Sequence, residues 1–575
     1  MSQRNQNEHR NTVARLARWG VVQLTSAPKL AATSALLAYL ASDTPSLLPR
    51  PWYLQGLISG ILAVSFYAIG AVVDDLRQLF VSWIDLRVSV SPAARRGFAA
   101  VYSLALAAGL LAYPFLNLAS HSFAARYVGA SRPGPFYPLL SALVAVLVVG
   151  VFVGVFRLVT HLFAWATVRV ERRVVREALA RTIAAVLTLA VVGGVLDQVL
   201  VRGLLAAAKE QADRTNARLP GGLSAPTSPL RSGGPGSLVT WSSLGSDGAT
   251  FVSSGPDRTA IESVVGHPAK EPIRVFVGVG GGRTLEQTKD LVLAELDRTG
   301  ALDRAAIVVV TSTSTGFVNE WAAESVEYLL SGDTAIVTMQ YSTLPSAFAL
   351  ITDRNGAPAV GRLLFDAVAA RVKARPAGRR PKLYVSGESL GAFGGNGAFD
   401  SSQDMVDKVD GALWTGTPSF TRLHASLTAS RDAGSTTVDP VIDGGRHIRF
   451  AGNASQLSAD QYGHAFGTWE APRIVYLQHN TDPVAWWSTD LLFTTPAWLE
   501  EARDPGTPMS RMSWMPFVTF WQVTGDMAVS NSVSGGFGHR YFETETVPAW
   551  SGILGVPTTV DHSRIEAAIR KANEG

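Results

Sequence analysis

Between residues 30 and 205 five apolar stretches follow one another: Leu30–Ala41, Leu54–Val73, Phe98–Leu118, Tyr137–Phe156 and Ile183–Leu205. Most run to about 20 residues, the length of helix that crosses a ~30 Å hydrocarbon core. The pattern predicts an α-helical transmembrane bundle of about five spans within residues 1–210. Leu30–Ala41 is the weakest, because Pro28 and Lys29 shorten it and Ser42-Asp43-Thr44-Pro45 turns the chain at its exit. Residues 211–270 include Leu219-Pro220-Gly221-Gly222 and Ser232-Gly233-Gly234-Pro235-Gly236, a Gly/Pro/Ser-rich composition that reads as a linker running over the following domain.

From Ile273 short β-branched runs alternate with helical stretches, the signature of a mostly parallel sheet covered by helices. Strands are predicted at Ile273–Val279, Ala306–Val310, Thr334–Tyr341, Lys382–Ser386, Gly411–Thr415 and Arg473–Gln478. Thr284 and Gln287 form a capping box opening a helix, and Val360–Val372 predicts another. Residues 271–575 are therefore expected to form one α/β domain, with its ligand site at the carboxyl ends of the strands.

Composition narrows the classes. Apolar residues make up 47% of the 575 and charged residues 17%, below the ~25% usual in soluble domains, so the chain is neither disordered nor an ordinary soluble protein. The formal charge of +4 forms no basic stripe, which argues against nucleic acid as a partner. Arginines gather instead in alternate loops between the spans. Arg4, Arg10, Arg15 and Arg18 precede the first; Arg77, Arg87, Arg95 and Arg96 follow the second; Arg157, Arg169, Arg172, Arg173, Arg176 and Arg181 precede the last. The other loops hold Arg50, Arg126 and Arg132. Retained positive charge marks the cytoplasmic side, so five spans with the amino end inside place everything after about residue 206 outside the cytoplasm. With no cysteine, thiol nucleophiles, Cys zinc sites and disulfides are excluded.

Gly387-Glu388-Ser389-Leu390-Gly391 follows the strand Leu383-Tyr384-Val385. A serine on a strained strand-to-helix turn tolerates only small residues two positions either side, and its hydroxyl then stands above the sheet edge. With 53 glycines in the chain the pentapeptide alone is weak evidence; its place after an apolar strand gives it weight. A serine nucleophile needs a base, and the base an acid. Asp482 lies in a loop just past Arg473–Gln478, and His539 follows in a Gly-rich loop, giving the order Ser389, Asp482, His539. An Asp-Pro turn or helix cap is the bland reading of Asp482. Asp526 is a rival acid, Asp400 and Asp404 weaker ones, and His562 a rival base; His479 reads as a shaper of the acid loop.

The developing oxyanion needs amide donors. The backbone N–H of Leu390 is the first expected donor, and the loop Thr311–Phe317, with Gly316, the source of the second. Gly280-Gly281-Gly282 competes for that role but lacks the spacing of a dinucleotide fingerprint. No H-E-x-x-H occurs and the histidines are scattered, so neither a metal nor another cofactor is expected. Trp486, Trp487, Trp498, Trp514, Trp521 and Trp550 read equally as packing and as an apolar cleft or membrane-facing rim.

Thr44-Pro45-Ser46-Leu47-Leu48-Pro49-Arg50-Pro51-Trp52, Gln340-Tyr341-Ser342 with Leu344-Pro345-Ser346, the Ser389 pentapeptide, Tyr476-Leu477-Gln478-His479, Asp482-Pro483 and Gly538-His539 with Tyr541 resemble a family of membrane-anchored α/β-hydrolases known mainly from actinobacteria. Thr481 stands where that family's pattern has serine and keeps the hydroxyl. The resemblance implies a serine hydrolase fold and a membrane anchor, and supplies no substrate. The residues and the resemblance together lead to the expectation of an extracytoplasmic, membrane-tethered serine hydrolase, working on a lipid or cell-envelope ester through acyl-Ser389, with the lipid bilayer as its partner. An acyltransferase with the same triad and a non-catalytic envelope scaffold are the alternatives.

Overall fold

The computed structural model describes residues 29–83, 91–172, 177–501, 504–556 and 561–574. Two compact units emerge. The first takes the described residues within Met1–Gly193, Thr489–Leu499 and Arg503–Val529; the second takes Gly194–Ser488, Glu500–Ala502 and Ser530–Gly575. Thr489–Leu499 and Arg503–Val529, which the sequence reading placed in the catalytic domain, thus belong with the apolar helices.

The first unit is built on helices α1 (Lys29–Ser42), α2 (Trp52–Trp83), α3 (Pro92–Tyr127), α4 (Tyr137–Glu171) and α5 (Glu177–Val195). Among the described residues four, not five, are long and apolar enough to cross a membrane: Trp52–Val81, Arg96–Tyr127, Tyr137–Glu171 and Glu177–Val195. The described part of the first expected span is 14 residues, roughly 21 Å at ~1.5 Å per residue and short of the hydrocarbon thickness. The last expected span changes character midway: α-helix ends at Val195, and Leu196–Gly203 continues as π-helix into α6 (Leu204–Ala217).

Polar groups mark the heart of this unit. Arg50 pairs with Asp526 at 2.9 Å, and neither side chain is more than 1% exposed. Asp526 Oδ2 accepts the Ser46 hydroxyl and the amides of Leu47 and Leu48 at 3.0 and 3.3 Å. Arg50 also donates to Gln55 Oε1, to Gln522 O and to Ser42 O. The turn-rich run after α1 therefore wraps a carboxylate carried by the helix Val518–Met527. A buried ion pair is favourable only when its remaining donors and acceptors are also met, and here they are.

The second unit holds a seven-stranded, all-parallel sheet in the order β1-β3-β2-β4-β5-β7-β6. Its strands are β1 (Ile273–Val277), β2 (Ala306–Thr311), β3 (Thr334–Met339), β4 (Lys382–Glu388), β5 (Gly411–Thr415), β6 (Ile448–Ala451) and β7 (Arg473–Leu477). Six match the expected runs to within two residues; β6, four residues long on the edge, was not anticipated. Helices α7 (Leu285–Arg298), α8 (Glu320–Leu329), α9 (Gly356–Lys373), α10 (Leu390–Asn396) and α11 (Glu543–Leu554) belong to the same unit. The Thr284–Gln287 capping box forms in both directions. In the stretch 211–270, Val239, Leu244, Phe251 and Val252 are buried in the same core as the strands, and the backbone at Arg231 pairs with that of Arg274 in β1, Ser232 N–H donating to Arg274 O and Arg274 N–H to Leu230 O.

The Arg50–Asp526 pair yields a prediction. Asp526→Ala leaves a guanidinium buried without its counter-charge and should cost about 3–5 kcal/mol, read as a lower unfolding temperature in detergent. The double change Arg50→Met with Asp526→Leu should recover most of that loss.

Candidate active site

β4 lies inside the sheet between β2 and β5. At its carboxyl end Ser389 has φ 56° and ψ −122°, a conformation that a side-chain-bearing residue holds only when the surroundings enforce it. The enforcement is steric. A Cβ on Gly387 would stand 2.7 Å from the backbone of Gly391, and one on Gly391 would stand 2.2 Å from Thr311 O. The Ser389 amide donates to Thr415 O at 3.0 Å, its side chain is partly exposed, and helix α10 starts at the next residue. The Leu390 N–H, first in that helix, has no acceptor among the described residues, as an oxyanion donor requires.

Asp482 sits five residues past β7, fully buried, and uses its two oxygens differently. Oδ1 accepts the Val484 amide at 2.8 Å, capping the short helix Pro483–Trp486. Oδ2 accepts His539 Nδ1 at 2.7 Å and the Tyr541 hydroxyl at 2.8 Å. The cap and the charge partner, weighed above as alternatives, are one carboxylate doing both. His539 is fixed from its backbone: its N–H donates to Ser530 O at 3.0 Å, and the neighbouring Gly538 N–H donates to Thr481 Oγ1 at 2.9 Å. The second ring nitrogen, Nε2, is buried and has no partner among the described residues. No hydrogen bond joins it to Ser389 in this structure; such bonds are often long until a substrate closes the site. Burial alone would lower the His539 imidazole, but the charge and hydrogen bond of Asp482, with Glu388 adding, hold its pKa above the usual value.

The other expected participants go elsewhere. Asp526 is bound to Arg50 in the first unit, and His562 bonds Ser551 Oγ at 2.8 Å. Asp400 and Asp404 pair with Arg362 and Lys408. His479 stacks on Tyr541 with ring centroids 4.2 Å apart, bonds Gly538 O through Nδ1 and pairs with Glu545 through Nε2 at 2.6 Å, tying the acid loop to the histidine loop. Gly316 needs a correction as an oxyanion donor: its N–H donates to Thr313 O at 3.0 Å, closing a turn in which Thr313 N–H also donates to Phe317 O. Trp486 and Trp550 are buried packing residues, and Trp487 stands edge-on to Phe420. Among the described residues no three His, Asp or Glu side chains gather as a metal site would need.

Sequence reasoning missed three contributors. Tyr541 is the second donor to Asp482 Oδ2; its only signal was a tyrosine two positions after the histidine. Glu388 lies behind the nucleophile, with Oε2 accepting from Asn319 Nδ2 and from Thr415 Oγ1. Gly416, at φ 55°, gives the imidazole room, because a Cβ there would stand 2.3 Å from His539 Cε1.

Comparison with known proteins gives two family matches. A model described as "Alpha/beta-hydrolase family" matches residues 273–566, and one described as "Alpha/beta-hydrolase family N-terminus" matches residues 44–256. No curated protein matches the chain. A solved structure, Trichoderma reesei cutinase in complex with a C11Y4 phosphonate inhibitor, aligns at 14% identity over 44% of this chain and 92% of that one. The TM-score is 0.18.

Gly416→Ala should lower stability by at least about 2 kcal/mol, since it adds left-handed strain to a clash with a buried ring. Thermal unfolding measures this; an unchanged midpoint would mean that the ring has other space to occupy.

Proposed function

The chain belongs to the alpha/beta-hydrolase family, and from that premise we propose that it is a membrane-tethered serine hydrolase that cleaves an ester through an acyl-Ser389 intermediate. The observation that carries this is the 2.7 Å bond between His539 Nδ1 and Asp482, which leaves Nε2 without a partner in the unit whose β4 ends in the strained Ser389. With Nδ1 holding its proton on the carboxylate, Nε2 is the basic nitrogen.

In acylation Ser389 Oγ bonds to the ester carbonyl carbon while its proton passes to His539 Nε2. The carbonyl oxygen takes the negative charge beside the Leu390 N–H, and Asp482 offsets the imidazolium. Collapse of the tetrahedral adduct breaks the bond to the alcohol oxygen, which leaves with the Nε2 proton. Water then repeats the sequence on the acyl-enzyme, with His539 again as base and then as acid, and releases a carboxylic acid.

The four long apolar helices support the tether. Reading the arginine-rich stretches between the first and second and between the third and fourth of these helices as cytoplasmic leaves the catalytic unit, after the fourth crossing, outside, next to lipid and envelope esters. Those are the substrates we assign to it on grounds of location. Cleavage of a carboxyl-terminal epitope by protease added to intact cells is the expected result; protection would reverse the orientation and withdraw that substrate assignment.

A fluorophosphonate probe should label the wild-type membrane protein and not Ser389→Ala, and Asp482→Asn should slow labelling by about 10³-fold or more. Only the neutral imidazole accepts the Ser389 proton, so the rate should rise with pH and reach half its maximum above ~6.5, because the His539 pKa is raised. Equal labelling of wild type and Ser389→Ala would remove the catalytic reading.

A further inference from the structure

The loops around the nucleophile carry more apolar side chain than the reaction above uses. Helix α10 starts from Ser389, and the Phe393 N–H in its first turn donates to Ser389 O at 2.9 Å. The Phe393 ring stands edge-on to Phe420 with centroids 5.6 Å apart, and Phe420 stands edge-on to Trp487 at 6.2 Å. Phe420 lies in the loop after β5, where the Ser419 N–H donates at 2.8 Å to Ala485 O, inside the helix that Asp482 caps. One aromatic row therefore runs from the helix of the nucleophile to the helix of the acid, and Phe420 and Trp487 are only partly buried.

A second element joins this row. After β3 the short helix Ser346–Thr352 carries five apolar residues in succession, Ala347 to Ile351. At ~100° per residue they occupy every side of the helix, whereas a surface helix keeps its apolar residues to one side. The inner side is accounted for: Ala349, Leu390 and Phe393 are buried in one apolar cluster, against which Leu344, Leu350 and Phe420 pack. The outer side is not. Phe348 and Ile351, three residues apart and so on one face, are 40% and 79% exposed. The exposed Arg354 holds its guanidinium 5.4 Å over the Phe420 ring, where the apolar wall meets water.

We propose that Phe420, Phe348 and Ile351 form a wall on which a hydrocarbon chain of the ester lies, so that the site selects esters with long chains over short ones. This rests on the serine hydrolase reading and adds a substrate class to it. Continuity with the nucleophile is the reason for choosing a substrate chain as the occupant: Leu390, whose amide faces the oxyanion in the proposed reaction, belongs to the cluster on which the wall is built. A protein partner fits less well, because a stable interface covers about 800 Å² on each side and the outer face of this helix offers Phe348 and Ile351. A hydrocarbon chain needs no polar partner along its length. Each methylene that it withdraws from water against such a wall raises kcat/KM by up to about fourfold.

The test compares nitrophenyl butyrate with nitrophenyl decanoate, and ethyl acetate with decyl acetate, on the full-length protein in one detergent. The first pair lengthens the acyl side of the ester and the second the alcohol side, so the pair that responds says which side the wall holds. In wild type the longer ester of at least one pair should have the larger kcat/KM, and Phe348→Ser with Ile351→Ser should cut that ratio by about tenfold or more. Partition of the esters into micelles is the same for both proteins and drops out of the comparison. Equal ratios in wild type and the double variant overturn the proposal; equal ratios with slower cleavage of esters held in phospholipid vesicles would make the face a membrane contact instead. If the double variant does not fold, Ile351→Ser alone decides: it should lower the ratio about threefold, and an unchanged ratio overturns the proposal. A wild-type protein that cleaves the esters with no gain from chain length removes this inference alone, whereas one that cleaves none of the four removes the ester-hydrolase reading and this inference with it.

Discussion

The second unit is organised around a carboxylate and an imidazole held 2.7 Å apart in the protein interior. Burying either alone would cost several kcal/mol, and even the pair is favourable only if every other donor and acceptor on it is met. That requirement explains the neighbours. Asp482 needs Tyr541 and the Val484 amide; Tyr541 needs its place against His479; His479 needs Glu545 and Gly538 O. Within this network, among the described residues, the buried atom left without a partner is His539 Nε2, the atom that the proposed reaction uses as its base. A polar network satisfied everywhere except at one basic nitrogen is held rigid and leaves that nitrogen available.

The first unit repeats the principle with a different outcome. Arg50 and Asp526 are as deeply buried as Asp482 and His539, yet Asp526 Oδ2 meets three donors from Ser46, Leu47 and Leu48, and Arg50 is spread over Asp526, Gln55, Gln522 and Ser42. Nothing in that description is left basic or nucleophilic. Two buried acids of the same chain, Asp482 and Asp526, differ in role because of what their partners can still do.

Much of this was legible in the sequence where a local rule dictates a local shape. The parallel strands have buried, β-branched runs, and the elbow glycines answer to contacts within a few residues and one neighbouring strand. The pairing of Asp482 with His539 was readable because a loop after a strand and a Gly-rich loop are local signals. What could not be read depended on partners far along the chain. Asp526 looked like a rival acid because its guanidinium lies 476 residues earlier. Gly316 looked like a donor because a turn closed by Thr313 O leaves no mark in composition. Strand β6, four residues on an edge, is too short to show a period. The first apolar stretch was counted as a span, although the described helix is only 14 residues.

The distance between Arg50 and its counter-charge bears on how the protein is made. Ribosomes add roughly 5–20 residues per second, so about 25–95 s pass between the emergence of the two partners. Through that interval the guanidinium has no carboxylate to neutralise it and must stay hydrated, because leaving water uncompensated is costly. The apolar helices are synthesised early, but the unit they belong to is finished only when the last tenth of the chain arrives. Assembly is therefore closed by a late arrival, and a nascent chain stalled before residue 526 would hold a first unit whose helices have formed around a centre that is still open.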